Sequence, residues 1–248
     1  MVIEHILDHQ NSAKTIPLTD GSMILIDKPL HWTSFDVVNK IRFAIKHAFG
    51  VKKIKVGHAG TLDPLATGLL LVCTGAYTKK IDELQNQNKS YTGEIRLGAI
   101  TPTYDSESEP EQYRPVPALS LQDLEETVSH FTGDILQIPP IYSAIKINGK
   151  KAYQLARRGE EAELKPRSIN IARLELVLQE KDVLRFDVTC SKGTYIRSLA
   201  HDIGNRIGCG AYLASLRRET IEDFNVRSAM TVDEVVAYIQ NYSQRQND

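Results

Sequence analysis

From residue 172 to residue 178 every second position is apolar (Ala172, Leu174, Leu176, Leu178) against Arg173, Glu175 and Val177. A few residues later Leu184, Phe186 and Val188 alternate with Arg185, Asp187 and Thr189. A period of two puts these side chains on one face only if the backbone is extended, and one extended strand cannot satisfy its own backbone hydrogen bonds. The segment is therefore a β-hairpin, and the fold must contain a sheet with one face turned to a core. The next segment changes period: Ile196, Leu199, Ala200, Ile203 and Ile207 follow helical spacing, and Gly208 can end the helix in the left-handed conformation.

The other elements follow from the same signals. Met23 to Asp27 reads as a buried strand, and Ser34 as the N-cap of a helix running to about Phe49. Gly57 to Gly68 is loop-like. Leu69 to Cys73 and Lys89 to Leu97 read as strands, the latter with Tyr91, Gly93, Ile95 and Leu97 on one side. A polar loop from Thr101 to Ala118 precedes a capping box, Ser120 with Asp123, that opens a helix through Phe131. Tyr142 to Ile147 is expected as a strand entering a tight turn at Asn148-Gly149. Thr231 to Gln240 can form one closing helix, and Gln244 to Asp248 a frayed tail. Strands joined by hairpins and interrupted by helices predict an α+β fold, a mixed and largely antiparallel sheet with flanking helices. A chain of 248 residues fits one large domain.

The first twenty residues carry Glu4, His5, Asp8 and His9, and an apolar span of about 20 residues is missing, so a soluble, cytoplasmic protein is expected. Cys73, Cys190 and Cys209 are odd in number and lack CxxC spacing, which argues against a zinc or redox site and for reduced core residues. The net charge of −1 hides a segregation of sign. Val37 to Leu62 holds six Lys or Arg and no acid, and Ile141 to Arg167 holds seven cations against three acids. Asp105 to Glu126 holds seven acids against Arg114 alone. One basic and one acidic face are expected, compatible with nucleic acid on the basic one.

The chemistry concentrates in Gly57-His58-Ala59-Gly60-Thr61-Leu62-Asp63-Pro64-Leu65-Ala66-Thr67-Gly68. Asp63 is the one acid between Asp36 and Asp82 and stands among apolar neighbours, so it is expected to be partly desolvated unless a cation reaches it. Two other readings stay open on the residues alone. Asp before Pro is a common helix N-cap with Pro at the first helical position. A phosphate-cradling glycine loop is disfavoured, because the Lys-Ser/Thr ending of a P-loop is missing.

The run GHAGTLDPLATGLLLV closely resembles the catalytic motif of bacterial tRNA pseudouridine-55 synthases. Four further segments agree in order: Asp27-Lys28-Pro29 with Thr33-Ser34; Lys89-Ser90-Tyr91 with Leu97-Gly98 and Thr101; Pro139 to Lys146 with Gly149, Tyr153 and Ala156-Arg157; and Cys190 to Leu199 with Asp202-Ile203-Gly204 and Leu216-Arg217-Arg218. The resemblance implies a catalytic domain over residues 23–228, preceded by an extension and followed by a helix and tail. It also implies a reaction on the T arm of tRNA without metal or cofactor. Asp63 becomes the catalytic carboxylate, as nucleophile or as base. Arg197 is implied to pair with Asp63 and keep it ionised, and Tyr91 to stack on the uracil. His58 is implied to fill the place of the flipped base. Lys28, Tyr142, Lys146 and Lys192 are implied as phosphate or pocket contacts, with Gly60, Thr61, Leu62 and Tyr195 as further substrate-binding positions.

This chain also departs from the family's pattern. A Gly usual between Pro29 and Thr33 is absent from Leu30-His31-Trp32, so His31 is expected at a backbone position that Gly would suit better. Glycines usual near positions 108 and 222 are Ser108 and Glu222, expected as surface changes. Many relatives continue into a small RNA-binding domain of the PUA type, whereas this sequence stops about 20 residues after Val226. The RNA is then expected to be held by the catalytic domain alone, as a monomer.

Overall fold

The computed structural model describes residues 3–143, 145–147, 149–156, 158 and 164–247. The chain forms two compact units, Met1–Ser90 with Arg217–Asp248, and Tyr91–Leu216. The first opens with β1 (Ile6–Leu7), β2 (Met23–Lys28), α1 (Ser34–Phe49), β3 (Val56–His58), β4 (Ala66–Thr74) and α2 (Ile81–Gln85). Strand β5 (Lys89–Leu97) carries the chain into the second unit. There follow α3 (Leu121–Phe131), β6 (Gly133–Gln137), β7 (Lys146–Ile147), β8 (Lys150–Lys151), α4 (Ala152–Ala156), β9 (Arg167–Glu180), β10 (Val183–Cys190) and α5 (Ile196–Ile207). Strand β11 (Ala211–Ile221) returns the chain to the first unit, which closes with β12 (Phe224–Asn225), β13 (Met230–Thr231) and α6 (Val232–Asn247).

In the first unit β2 runs antiparallel to β4, with Leu25 opposite Leu71, and parallel to β1 and β13. Both faces of β2 are covered, which is why it reads as a continuous apolar run and not as an alternation. Ile24 and Ile26 meet Val37, Ile41 and Ile45 of α1 and Val235 and Ile239 of α6, while Met23 and Leu25 join Leu69, Leu71 and Leu84. Leu7, Ile16 and Leu18 are buried in the first of these clusters, so the N-terminal segment is part of the core. All three cysteines are free and buried, and burial pushes the Cys73 thiol up to about 12.

In the second unit β9 pairs antiparallel with both β10 and β6. The α+β class with a mixed, largely antiparallel sheet is therefore as expected. The predicted alternation of the hairpin breaks at one point. Ile169 and Ile171 are buried on odd numbers, Leu174 on an even one, and Ala172 is exposed. The register shows why: Arg173 faces Thr189 and Ile171 faces Cys190, so Ala172 is an extra, bulged residue that flips the phase. Helix α5 ends at Gly208 with φ 92°, and α3 opens on the Ser120/Asp123 capping box, both as expected.

Outside the glycine stretch, three boundaries differ most from expectation. The N-cap of α1 is Thr33, with Asp36 closing a capping box, and Ser34 is the first helical residue. The strand expected over 142–147 shrinks to Lys146–Ile147, which pairs with Lys150–Lys151; Asn148 of the expected turn lies outside the described residues. Helix α6 opens on Thr231, whose hydroxyl and amide are tied to Glu234, and continues to Asn247 across the segment expected to fray.

Candidate active site

The glycine stretch around Asp63 is less of a loop than its composition suggests. Val56–His58 pairs with β4, Gly57 opposite Cys73 and His58 opposite Val72, and β4 already begins at Ala66. Two glycines of the stretch serve close approach to other elements, Gly57 to α2 and Gly68 to β11. A Cβ on Gly57 would stand 2.8 Å from Ile81 Cδ1, and one on Gly68 only 2.3 Å from the Arg218 carbonyl oxygen. No helix starts after Asp63: Pro64-Leu65 form a turn in which the Ala66 amide donates to the Asp63 carbonyl at 3.0 Å. The N-cap reading of Asp-Pro therefore falls.

Asp63 sits between two anchored residues. On its N-terminal side the Leu62 amide donates to Ser34 Oγ at 2.8 Å, and the same hydroxyl donates to the Leu62 carbonyl at 3.1 Å. On its C-terminal side the His31 amide donates to the Pro64 carbonyl at 2.8 Å. Segment 31–34 thus grips both neighbours of Asp63, and Ser34 does so from a fully buried position. Lys28 supports the grip from below. Its side chain is fully buried, and its ammonium donates to the carbonyls of Pro29 at 2.9 Å and Trp32 at 2.5 Å. Burial lowers the Lys28 pKa to about 8; Asp63 and Asp36 nearby act to raise it, and the Arg218 cation to lower it.

Arg218 is the second buried cation of this loop. Its Nε donates to the Leu69 carbonyl at 2.7 Å, Nη2 to Gly60 O at 3.1 Å and Nη1 to Thr61 O at 3.5 Å, so Gly60 and Thr61 are held by their backbones. The neighbouring Arg217, on the other side of β11, instead forms a two-pronged ion pair with Asp27 at 2.7 and 3.1 Å. His58 is held neutral: burial and the Arg218 charge lower its pKa below the ordinary imidazole value, partly opposed by a hydrogen bond to the Gly60 backbone. Its Nδ1 is buried with no hydrogen-bond partner among the described residues.

The second unit carries its own polar cluster. Arg197, in the first turn of α5 and 7% exposed, donates to the carbonyls of Thr103 at 3.1 Å and Tyr142 at 3.0 Å and lies 3.6 Å from the Asp105 carboxylate. Asp105 is itself fixed by the Thr103 hydroxyl at 2.6 Å. Tyr142 therefore contributes its carbonyl to holding Arg197. Tyr195 caps α5 and is locked by Gln137, which accepts from its amide at 2.8 Å and donates to its carbonyl at 3.1 Å. Tyr91 is buried on β5, and two residues on, Gly93 leaves room: a Cβ there would meet the Ser215 carbonyl at 2.2 Å and the Phe186 ring. Lys192 is exposed on the turn closed by Thr194 Oγ1 donating to the Ser191 carbonyl at 3.0 Å. Lys146 opens β7, and its side chain lies outside the described residues.

Three residues with structural claims on these clusters were not among the sequence candidates: Ser34, Arg218 and Asp105. Ser34 was visible as a helix start and in the matching Thr33-Ser34, Arg218 in the matching Leu216-Arg217-Arg218, and Asp105 as one acid of an acidic window, none of them with a role of its own. Nothing local in the sequence reports a hydrogen bond to a residue 28 or 158 positions away.

Comparison with known proteins supplies the frame. Residues 46–196 match the family described as TruB family pseudouridylate synthase (N terminal domain), and residues 197–248 match the tRNA pseudouridylate synthase B C-terminal domain. The chain is 48% identical over 220 residues to the tRNA pseudouridine synthase B of Parabacteroides distasonis, covering 89% of this chain and 94% of that one. It is 49% identical over 214 residues to its namesake from Flavobacterium johnsoniae (86% and 93%), and 48% over 218 residues to that from Chlorobaculum tepidum (88% and 90%). Among solved structures, a Cbf5-Nop10-Gar1 complex matches with a TM-score of 0.68 at 25% identity, over 99% of this chain and 66% of that one. An H/ACA RNP bound to a substrate RNA containing 2′-deoxyuridine matches with a TM-score of 0.65 at 24% identity, over 92% and 56%, and shows the shared fold. With both family descriptions matched in sequence order and close to half of the residues shared with those relatives, the chain belongs to the TruB family of pseudouridylate synthases.

Proposed function

We propose that this chain converts uridine 55 in the T loop of tRNA to pseudouridine, with Asp63 as the catalytic carboxylate. The observation that carries the reading is the fixing of Asp63 between Leu62 and Pro64, both held by segment 31–34, with two buried cations, Lys28 and Arg218, placed around the loop. The reaction breaks the bond between C1′ and N1, turns the uracil, joins C1′ to C5 and releases the C5 proton, with N1 protonated in exchange. A carboxylate serves either as nucleophile at C1′ or as base toward the C2′ proton. Positioning contributes heavily in either route, because a reacting group held in place loses little freedom on reaching the transition state.

Tyr91 stacks on the uracil and Arg197 supplies positive charge to the reacting carboxylate. The neutral His58 imidazole takes the place the flipped base leaves. Lys192, Lys146, Tyr142 and Tyr195 contact the RNA, as do Gly60, Thr61 and Leu62, while Lys28 acts from inside as support for the loop. We infer that the enzyme works as a monomer in the cytoplasm, where its RNA is found. The test is tritium release from an unmodified tRNA transcript carrying 5-tritiated uridine. The wild type releases label from the T-loop uridine, and Asp63→Asn, which keeps shape but removes the charge, releases none above background. Binding of the tRNA by a wild type that releases no label would leave an RNA-binding protein without this chemistry.

A further inference from the structure

Helix α1 starts at the Asp63 loop, where Ser34 is tied to Leu62, and its solvent side carries an arrangement that the reaction does not use. Phe35 is 62% exposed and Phe43 70%. With Asn39 and His47 they stand four residues apart, so they share one stripe of the helix. The rings of Phe43 and His47 are parallel within 3°, their centroids 6.1 Å apart. Exposed Lys40 and Lys46 flank the stripe, within the stretch from Val37 to Leu62 that holds six cations and no acid. Beside it a groove of about 510 Å³ runs between α1 and α6, bordered by Lys40, Phe43 and His47 on one side and by Gln240 and Asn241 on the other.

Aromatic faces interleaved with cations suit a particular partner. A second protein surface would gain most from contiguous aliphatic area and would have to bury the lysines. A nucleic acid uses both components, flat bases on the rings and phosphates on the ammonium groups. Phe43 lies nine residues beyond Ser34, about 13 Å along the helix axis at 1.5 Å per residue, within the span of an RNA whose target base is at Asp63. Resting on the reading above, we propose that the Phe43–His47 step is a stacking platform for an unpaired nucleobase of the RNA substrate, with Lys40 and Lys46 serving its phosphates.

The experiment measures Kd and steady-state kinetics of the full chain with an unmodified tRNA transcript for the wild type, Phe43→Ala, Phe43→Leu and Phe43→Tyr. Phe43→Ala is expected to raise Kd and KM about tenfold with kcat within about twofold of wild type. Phe43→Tyr keeps the affinity, and Phe43→Leu does not, because stacking needs a π face. Thermal melts unchanged across the series confirm that an exposed residue is being read. Unaltered binding by Phe43→Ala overturns the proposal, and so does full affinity in Phe43→Leu. A wild-type dimer in sedimentation that Phe43→Ala dissolves overturns it in favour of a second copy of the chain. A wild type that makes no pseudouridine sinks the catalytic assignment instead, and the Kd series still decides the platform.

Discussion

His31, Tyr104, Gln112 and Glu222 adopt left-handed backbone conformations, with φ of 66°, 62°, 52° and 48°. For residues with a Cβ this costs about 1–2 kcal/mol each, so something must hold them or nothing does. Tyr104 is held: its ring stacks on His201 with centroids 3.9 Å apart. Glu222 has little to lose, since its exposed carboxylate accepts one hydrogen bond from the Asn88 amide at 3.3 Å, and the backbone bond from its own amide to Asn88 O survives any substitution. Glu222→Gly is therefore expected to raise stability by about 1 kcal/mol, and Tyr104→Gly to lower it, as read by the midpoint of urea unfolding. A Glu222→Gly midpoint equal to or below wild type contradicts the strain assignment. The family's glycine pattern pointed to both His31 and Glu222. The backbone of His31 was legible only through that pattern, whereas Glu222, expected as a surface change, is exposed and its positive φ went unread.

At the scale of elements, α1 does two separable things. Thr33 and Asp36 satisfy the free amides of its first turn, while Ser34 ties that turn to Leu62. Thr33→Ala removes a cap and is expected to cost stability, about 0.5–2 kcal/mol, with kcat unchanged. Ser34→Ala removes both bonds to Leu62 and is expected to lower kcat at least tenfold, with KM for tRNA nearly unchanged and a loss of stability similar to that of Thr33→Ala. Equal kcat in the two variants would make Ser34 a structural residue only. Helices and hairpins of this chain were legible where one face alone is buried, as in α1, α3, α5 and the β9–β10 pair. The Ala172 bulge was hidden because an inserted residue leaves the composition of a strand intact and changes only its phase. Strand β3 was hidden because its Gly57, placed close to Ile81, opens a glycine-rich stretch that looks like a turn.

On the scale of the whole chain, the class of fold and the loop holding Asp63 were legible from periodicity and motif, whereas the grip of 31–34, the buried Arg218 and the packing of the C-terminal helix were not, because long-range contacts decide them. Val235 and Ile239 of α6 are fully buried against α1 and β2. Each such side chain is worth roughly 1.5–3 kcal/mol, against a net stability of about 5–15 kcal/mol for a typical domain. Deleting residues 232–248 should therefore abolish the cooperative unfolding transition followed by Trp32, the single tryptophan, which packs on the same cluster. A truncated chain with a wild-type transition would show that α6 is dispensable.

That the first unit is assembled from Met1–Ser90 and Arg217–Asp248, with Tyr91–Leu216 between them, has a meaning in time as well as in space. On the ribosome, residues 91–216 emerge as one continuous stretch, whereas β2 and α1 are made early and must wait for β13 and α6, which follow that stretch. Until then the nascent chain leaves exposed the apolar surface of α1 and β2 that Val235 and Ile239 cover. It is then that a chaperone has most to shield, and the grip on Asp63 is backed by a complete core only once α6 has been made.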